Sequence, residues 1–154
     1  MKNIFLTKYS PSKHLRCLKK WLTDETLMKG WGTPPFLDYK VQEWTEDPNK
    51  VILMIEDTES GNIIGFVNFY NWDRKKHIAS RGTLVEPKYQ NKGYGKSAIL
   101  KSNRYAFEEM KLKRIELYVD DDNKISRHIT EKLGYRHDRY DPSKKRHYYF
   151  MLPD

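Results

Sequence analysis

Gln90-Asn91-Lys92-Gly93-Tyr94-Gly95-Lys96-Ser97 is the stretch whose residue types and spacing could do chemistry. Glycines at 93 and 95 permit positive φ, or let another group press close to the backbone. Lys88, Lys92 and Lys96 surround them. A strand-like run leads in and a helical run leaves, so the free N–H groups of a helix start meet a cluster of ammonium groups. Such a start binds anions, phosphate foremost.

Two phosphate motifs fall short here. Gly95-Lys96-Ser97 suits the end of a Walker A loop, but the place of that loop's first glycine is taken by Gln90. Gly93-x-Gly95-x-x-Ala98 fits the dinucleotide fingerprint, and Asp120 follows the next strand. That fingerprint begins directly at the strand's end, whereas residues 86–92, with Pro87 among them, intervene here. A plain tight turn beside a solvated lysine face would also account for the glycines.

Gln90-x-x-Gly93-x-Gly95 resembles the Q/R-x-x-G-x-G/A pyrophosphate loop of the GNAT superfamily of acyl-CoA-dependent N-acyltransferases. Asn123-x-x-Ser126-x-x-x-x-Glu131-Lys132-Leu133-Gly134-Tyr135 resembles that family's later motif. Trp21-Leu22-Thr23-Asp24 and Glu131-Lys132-Leu133-Gly134 look like the ribosomal-protein N-terminal acetyltransferase branch. The resemblance implies acetyl-CoA as cofactor, with its pyrophosphate on residues 90–97, its pantetheine arm along the backbone of Leu84 and Val85, and further contacts from Asn123 and Ser126. Asn123 reads equally as a helix N-cap.

The resemblance also frames the catalytic candidates. Many relatives carry a leaving-group tyrosine where this chain has Thr130, a far poorer acid than a phenol with a pKa of about 10. Tyr135, another tyrosine or water would replace it, or the thiolate leaves unaided. An amine acceptor must lose a proton before attack. Glu86 is the nearest carboxylate to the acetyl-bearing strand; it also reads as an ordinary exposed acid before a proline. Trp31 and Phe36 lie where the family covers its acceptor.

The elements that must position these residues follow from periodicity. Residues 4–7, 51–56, 63–72, 78–85, 115–119, 135–140 and 147–152 read as strands, the second and third as an antiparallel hairpin. Helices read from Pro11, capped by Ser10, to Leu22; from an Asp38 cap through Val41 and Trp44; from Tyr94 to Met110; and from Asn123, with Ile125, Ile129 and Leu133 facing the core. Residues 30–35 read as loop. The expected fold is α+β: a mixed, mostly antiparallel twisted sheet of about seven strands with about four helices, in one domain over residues 1–154.

The chain of 154 residues carries a net charge of +8. Between Trp21 and Ser60, however, nine acids oppose only Lys29, Lys40 and Lys50. Acids beside an aromatic loop suit a cationic amine: a protein N-terminus, a polyamine or an aminoglycoside. Cys17 is the only cysteine, which excludes an internal disulfide and fits a reducing cytoplasm. The scattered histidines give no metal-binding spacing. No membrane span or leader is expected, since no apolar run approaches about 18 residues. The expectation is a cytoplasmic N-acetyltransferase, monomeric or homodimeric. The alternatives are a CoA-binding sensor and a basic nucleic-acid-binding domain using Tyr148, Tyr149 and the arginines near them.

Overall fold

A computed structural model describes residues 2–154; Met1, the first residue of the domain expected over 1–154, lies outside them. Among the described residues the first half runs β1 (Ile4–Lys8), α1 (Pro11–Leu22), α2 (Glu25–Trp31), α3 (Asp38–Thr45), β2 (Val51–Asp57) and β3 (Ile63–Asp73). The second half runs β4 (Ile78–Val85), a 3-10 turn (Pro87–Tyr89), α4 (Tyr94–Glu108), β5 (Arg114–Asp120), α5 (Lys124–Lys132), β6 (Arg136–Asp141) and β7 (Arg146–Met151). These strands form one sheet in the order β1-β2-β3-β4-β5-β7-β6. It is mixed as expected: β4 pairs parallel with β5, while β1–β2, β2–β3, β5–β7 and β6–β7 are antiparallel.

The chain divides into two compact units. The first takes the chain up to Phe69 together with Gly82–Ser102; the second holds Tyr70–Arg81 and Asn103–Asp154. In the first, α1 places Leu18, Trp21 and Leu22 on one face, the spacing that packs a helix on a sheet. They meet Met28 of α2, Val41 of α3, Ile52 and Met54 of β2, Phe66 of β3 and Leu84 of β4. Each fully buried aliphatic side chain of this kind contributes roughly 1.5–3 kcal/mol. Cys17 packs against the same cluster, and burial pushes its thiol up, as suits an inert packing residue.

In the second unit β5 alternates. Ile115, Leu117 and Val119 are buried, while Arg114, Glu116, Tyr118 and Asp120 occupy the other face. β7 pairs with β5 from Ile115↔Met151 to Asp120↔Arg146, so the last strand lies between β5 and β6. The parallel ladder between β4 and β5 runs only from Ile78↔Arg114 to Ser80↔Glu116.

Local expectations fail in three places. The stretch before Pro34 is helical up to Trp31, so five α-helices are seen among the described residues rather than four. Asp24 caps α2 by accepting the Leu27 N–H at 2.8 Å, and Gly32 ends it in the left-handed region at φ 95°. Ser10 is the N-cap of α1 as expected, with extended backbone and Pro11 following, though its side chain makes no capping bond and its own N–H donates to His14 Nδ1 at 2.9 Å. The cap of α3 is Leu37, and Asp38 is its first residue, paired with Lys19 at 3.3 Å. On α5 the predicted face is wrong: Ile125 is 78% and Ile129 47% exposed, whereas Thr130 is buried at 6%. The helix is held by polar ties on another side. Arg127 Nε donates to Tyr149 Oη at 3.3 Å, and the Tyr135 N–H to the Thr130 carbonyl at 3.2 Å.

Candidate active site

The glycine stretch lies wholly in the first unit, at the exit of β4. Glu86 leaves the strand with its N–H on the Ile64 carbonyl at 2.7 Å, and the 3-10 turn follows. Gln90 folds back so that Nε2 donates to the Val85 carbonyl at 2.8 Å. Asn91 at φ 61° and Gly93 at φ 92° are both left-handed, and together they swing the chain into α4. Gly95 is different. It is not left-handed, and a Cβ there would meet only Val85 Cγ2 at an ordinary 3.8 Å. The protein itself therefore does not require glycine at 95, which leaves open backbone at the first turn of a helix, the place where an anion docks. Inside that turn Ser97 is 1% exposed and its Oγ has no hydrogen-bond partner. These features fit a pyrophosphate cradle.

Upstream, β4 carries Leu84 and Val85. Their carbonyls already face protein groups: a Cβ at Gly65 would collide with the Leu84 carbonyl, and Gln90 holds that of Val85. A glycine inside a strand signals such close backbone approach. Glu86 stands at the strand's end with its side chain 18% exposed, 4.0 Å from Lys20 Nζ and 3.8 Å from Lys88 Nζ.

Trp31 and Phe36 belong to an aromatic wall in the same unit. The Trp31 indole N–H donates to the Thr83 carbonyl of β4 at 2.9 Å, and its ring meets Phe66 edge-on at 5.6 Å. Phe36 packs edge-on against Trp44 at 5.9 Å, and Trp44 against Phe66 at 5.8 Å. Lys50 Nζ sits 3.6 Å over the Trp44 ring; burial pulls its ammonium down to about 8. Of the nearby acids, Asp24 is occupied as a cap, Asp38 pairs with Lys19, and Glu43 pairs with Lys40 at 3.4 Å.

Asn68 was missed by sequence reasoning. It is 3% exposed on β3, and its Oδ1 has no hydrogen-bond partner. A Cβ at Gly82 would stand 2.6 Å from that oxygen and 3.6 Å from the Trp31 ring. The available signal was a lone amide between Phe66 and Tyr70, at a position whose neighbours on that face are aromatic.

The remaining candidates lie in the second unit. Asn123 is the N-cap of α5 and accepts the Ser126 N–H at 3.1 Å. Thr130 is buried, and its carbonyl holds the Tyr135 N–H. Tyr135 is 3% exposed and donates its phenol proton to Asn103 Oδ1 at 2.8 Å. Burial pushes that phenol above its usual value, against the nearby Arg81 guanidinium and the Asn103 hydrogen bond, which pull it down.

Residues 3–136 match the acetyltransferase (GNAT) domain. The chain belongs to the GNAT family. It is accordingly an acetyl-CoA-dependent N-acetyltransferase. An N-acetyltransferase 9-like protein of Caenorhabditis briggsae is 25% identical over 88% of this GNAT chain and 75% of its own length. A putative ribosomal N-acetyltransferase of Bacillus subtilis is 29% identical, over 49% of this chain and 41% of its own. The fold matches a crystal structure of spermidine N-acetyltransferase from Vibrio cholerae in complex with CoA and spermine. That match has a TM-score of 0.83 at 18% identity and covers 97% of this chain and 95% of the other.

Proposed function

We propose that this enzyme carries the acetyl group of acetyl-CoA to a cationic primary amine, with the cofactor's pyrophosphate cradled by residues 90–97. The observation that carries the reading is Gly95, a glycine that the protein's own packing does not demand, at the first turn of α4. In this reading Asn91, Lys92, Gly93, Tyr94, Gly95 and Lys96 supply N–H groups and positive charge, Ser97 supplies its unpartnered hydroxyl, and Gln90 braces the turn. Leu84 and Val85 border the pantetheine arm, and within the second unit Asn123 and Ser126 are the cofactor contacts. Bound acetyl-CoA supplies an acetyl thioester whose thiol product has a pKa of about 8.5.

What this chain's residues then do concerns the amine. An ammonium with a pKa near 10.4 must surrender a proton, and Glu86 is the carboxylate that takes it, directly or through water. Trp31 and Phe36 border the amine. Thr130 and Tyr135 transfer no proton in this scheme: the first is a buried hydroxyl, and the proton of the second is engaged by Asn103. A thiol that acidic leaves without a dedicated acid.

A polyamine is the acceptor class we favour. The relatives include a spermidine N(1)-acetyltransferase of Vibrio cholerae, 25% identical over 79% of this chain and 72% of its own length. The residues from 22 to 59 keep a net negative charge even with several acids paired. Release of free thiol is measured on a panel of spermidine, an aminoglycoside and N-terminal ribosomal peptides. Turnover with spermidine supports the assignment; turnover with a peptide alone moves the enzyme to protein N-termini. CoA binding without turnover on any amine would make it a sensor. The catalytic domain is taken as residues 1–154, acting in the cytoplasm as a monomer or homodimer.

One observation favours the nucleic-acid reading. In the second unit, arginines lie over aromatic rings: Arg139 over Tyr148 at 4.0 Å, Arg146 over Tyr118 at 3.9 Å and Arg114 over Phe150 at 4.1 Å. Each of these arginines also has a carboxylate partner, in Asp138, Asp120 and Glu116 respectively. Phosphate binding needs uncompensated charge, so the acetyltransferase reading is preferred.

A further inference from the structure

Asn68 is a buried amide to which the chemistry above assigns no task. A buried oxygen without a donor works against folding, and an apolar side chain in its place would avoid that cost. The chain nevertheless holds Asn68 at 3% exposure with Oδ1 unpartnered. On β3 it stands two residues after Phe66, hence on the same face of the strand as that core ring. Facing the oxygen is Gly82 of β4. A Cβ at 82 would lie 2.6 Å from Oδ1, closer than packed atoms come, so any other residue there would push the amide aside. Gly82 is not left-handed, so its own conformation does not ask for glycine. It is only half-buried, which leaves part of this backbone open to solvent. The same point beside Gly82 lies 3.6 Å from Trp31 Cζ2. That ring is fixed by its N–H on the Thr83 carbonyl at 2.9 Å and by edge-on contact with Phe66 at 5.6 Å.

An orphan carbonyl oxygen, an indole ring and a strand position without a side chain thus surround one spot. The oxygen can only accept, so its partner brings an N–H or O–H. The indole face adds attraction for a cation, which a neutral amide or hydroxyl would not use. The terminal torsion of an asparagine is soft, so the oxygen turns to a ligand at little cost. We propose that Asn68 binds the acceptor: Oδ1 takes an N–H of the substrate's primary ammonium group beside Trp31, and Gly82 is bare so that the nitrogen can reach it. The inference deepens the assignment of a cationic amine made above and rests on it.

Thiol release by the whole chain is measured with spermidine, or with whichever amine of the panel the wild-type enzyme acetylates, alongside calorimetric titration with CoA. Asn68→Ala removes the amide. It lowers kcat/KM for the amine about tenfold, as expected for a hydrogen bond to a charged group. The Kd for CoA stays within about twofold of wild type, which also shows that the variant folds, because the cofactor loop is elsewhere in the site. Gly82→Ala keeps Asn68 but displaces its oxygen; the added methyl collides only with the end of one side chain, and kcat/KM falls by a similar factor. The double variant is no worse than the poorer single one, since both remove the same contact. Wild-type kcat/KM in Asn68→Ala, or losses that multiply in the double variant, overturns the inference while wild-type turnover upholds the amine assignment. A Kd for CoA that rises as much as kcat/KM falls assigns the oxygen to the cofactor and overturns it as well. A wild-type enzyme that turns over no amine of the panel overturns the amine assignment, and this inference with it.

Discussion

Gly93 and Gly95 stand in one loop yet ask for glycine on different grounds. Gly93 needs it for its own conformation at φ 92°, so Gly93→Val strains the backbone by about 1–2 kcal/mol even before any ligand is added. Gly95 needs it only if something else approaches. Gly95→Val should therefore keep the wild-type thermal midpoint within about 2 °C and lose CoA binding by calorimetry, whereas Gly93→Val loses both. The spacing of these residues was legible in the sequence; which of them is left-handed was not, because that depends on how Asn91 and Gln90 share the turn. Glu86 carries the other residue-level prediction. Glu86→Gln should lower kcat about 100-fold, the usual worth of a general base, without changing the Kd for CoA. An unchanged kcat would return Glu86 to an ion-pairing role with Lys20 and Lys88.

Among the elements, α5 separates pattern from packing. Ile125, Ile129 and Leu133 make a helical stripe on paper, but a nine-residue helix has no length to enforce its own amphipathic face. Its rotation is set by Arg127, by Thr130 and by the turn through Tyr135, which are tertiary contacts that periodicity does not encode. Ile125→Lys with Ile129→Lys should accordingly change unfolding free energy by no more than about 0.5 kcal/mol in urea titrations. Thr130→Tyr, which would install the family's tyrosine, should cost about 1–3 kcal/mol through overpacking. A stabilised Thr130→Tyr would mean that α5 leaves room for the ring. The elements that were read well are those whose signal is local and strong: Pro11 opening α1, the β2–β3 hairpin, and the glycine-led start of α4. The extra helix α2 was hidden because its cap Asp24 and its terminator Gly32 enclose only seven residues ending beside a Thr-Pro-Pro loop.

For the molecule as a whole, element order and the paired motifs were enough to read the fold, while the large titration shifts of two half-buried groups could be found only in three dimensions. They make opposite demands on pH. Lys50 is held down to about 8 by burial over Trp44, so above that pH the folded chain releases a proton that the unfolded chain keeps until about 10.4. Stability from this group rises as pH climbs through that window. Tyr70 is pushed up to about 12, by burial first and by the neighbouring Tyr118 next. Above pH 10 the unfolded chain loses the phenol proton while the folded one retains it, and stability falls until about pH 12. The second effect amounts to about 3 kcal/mol at its limit. The thermal midpoint should therefore climb from pH 8 to about 10 and drop beyond it. Lys50→Met should flatten the rising limb and raise the midpoint at pH 7, since its uncharged side chain meets the same aromatic ring without desolvating an ammonium. Tyr70→Phe should blunt the alkaline fall. A midpoint that declines steadily from pH 8 in the wild-type chain would mean that Lys50 keeps its charge on the Trp44 ring, held by the Trp44 carbonyl it contacts at 3.0 Å.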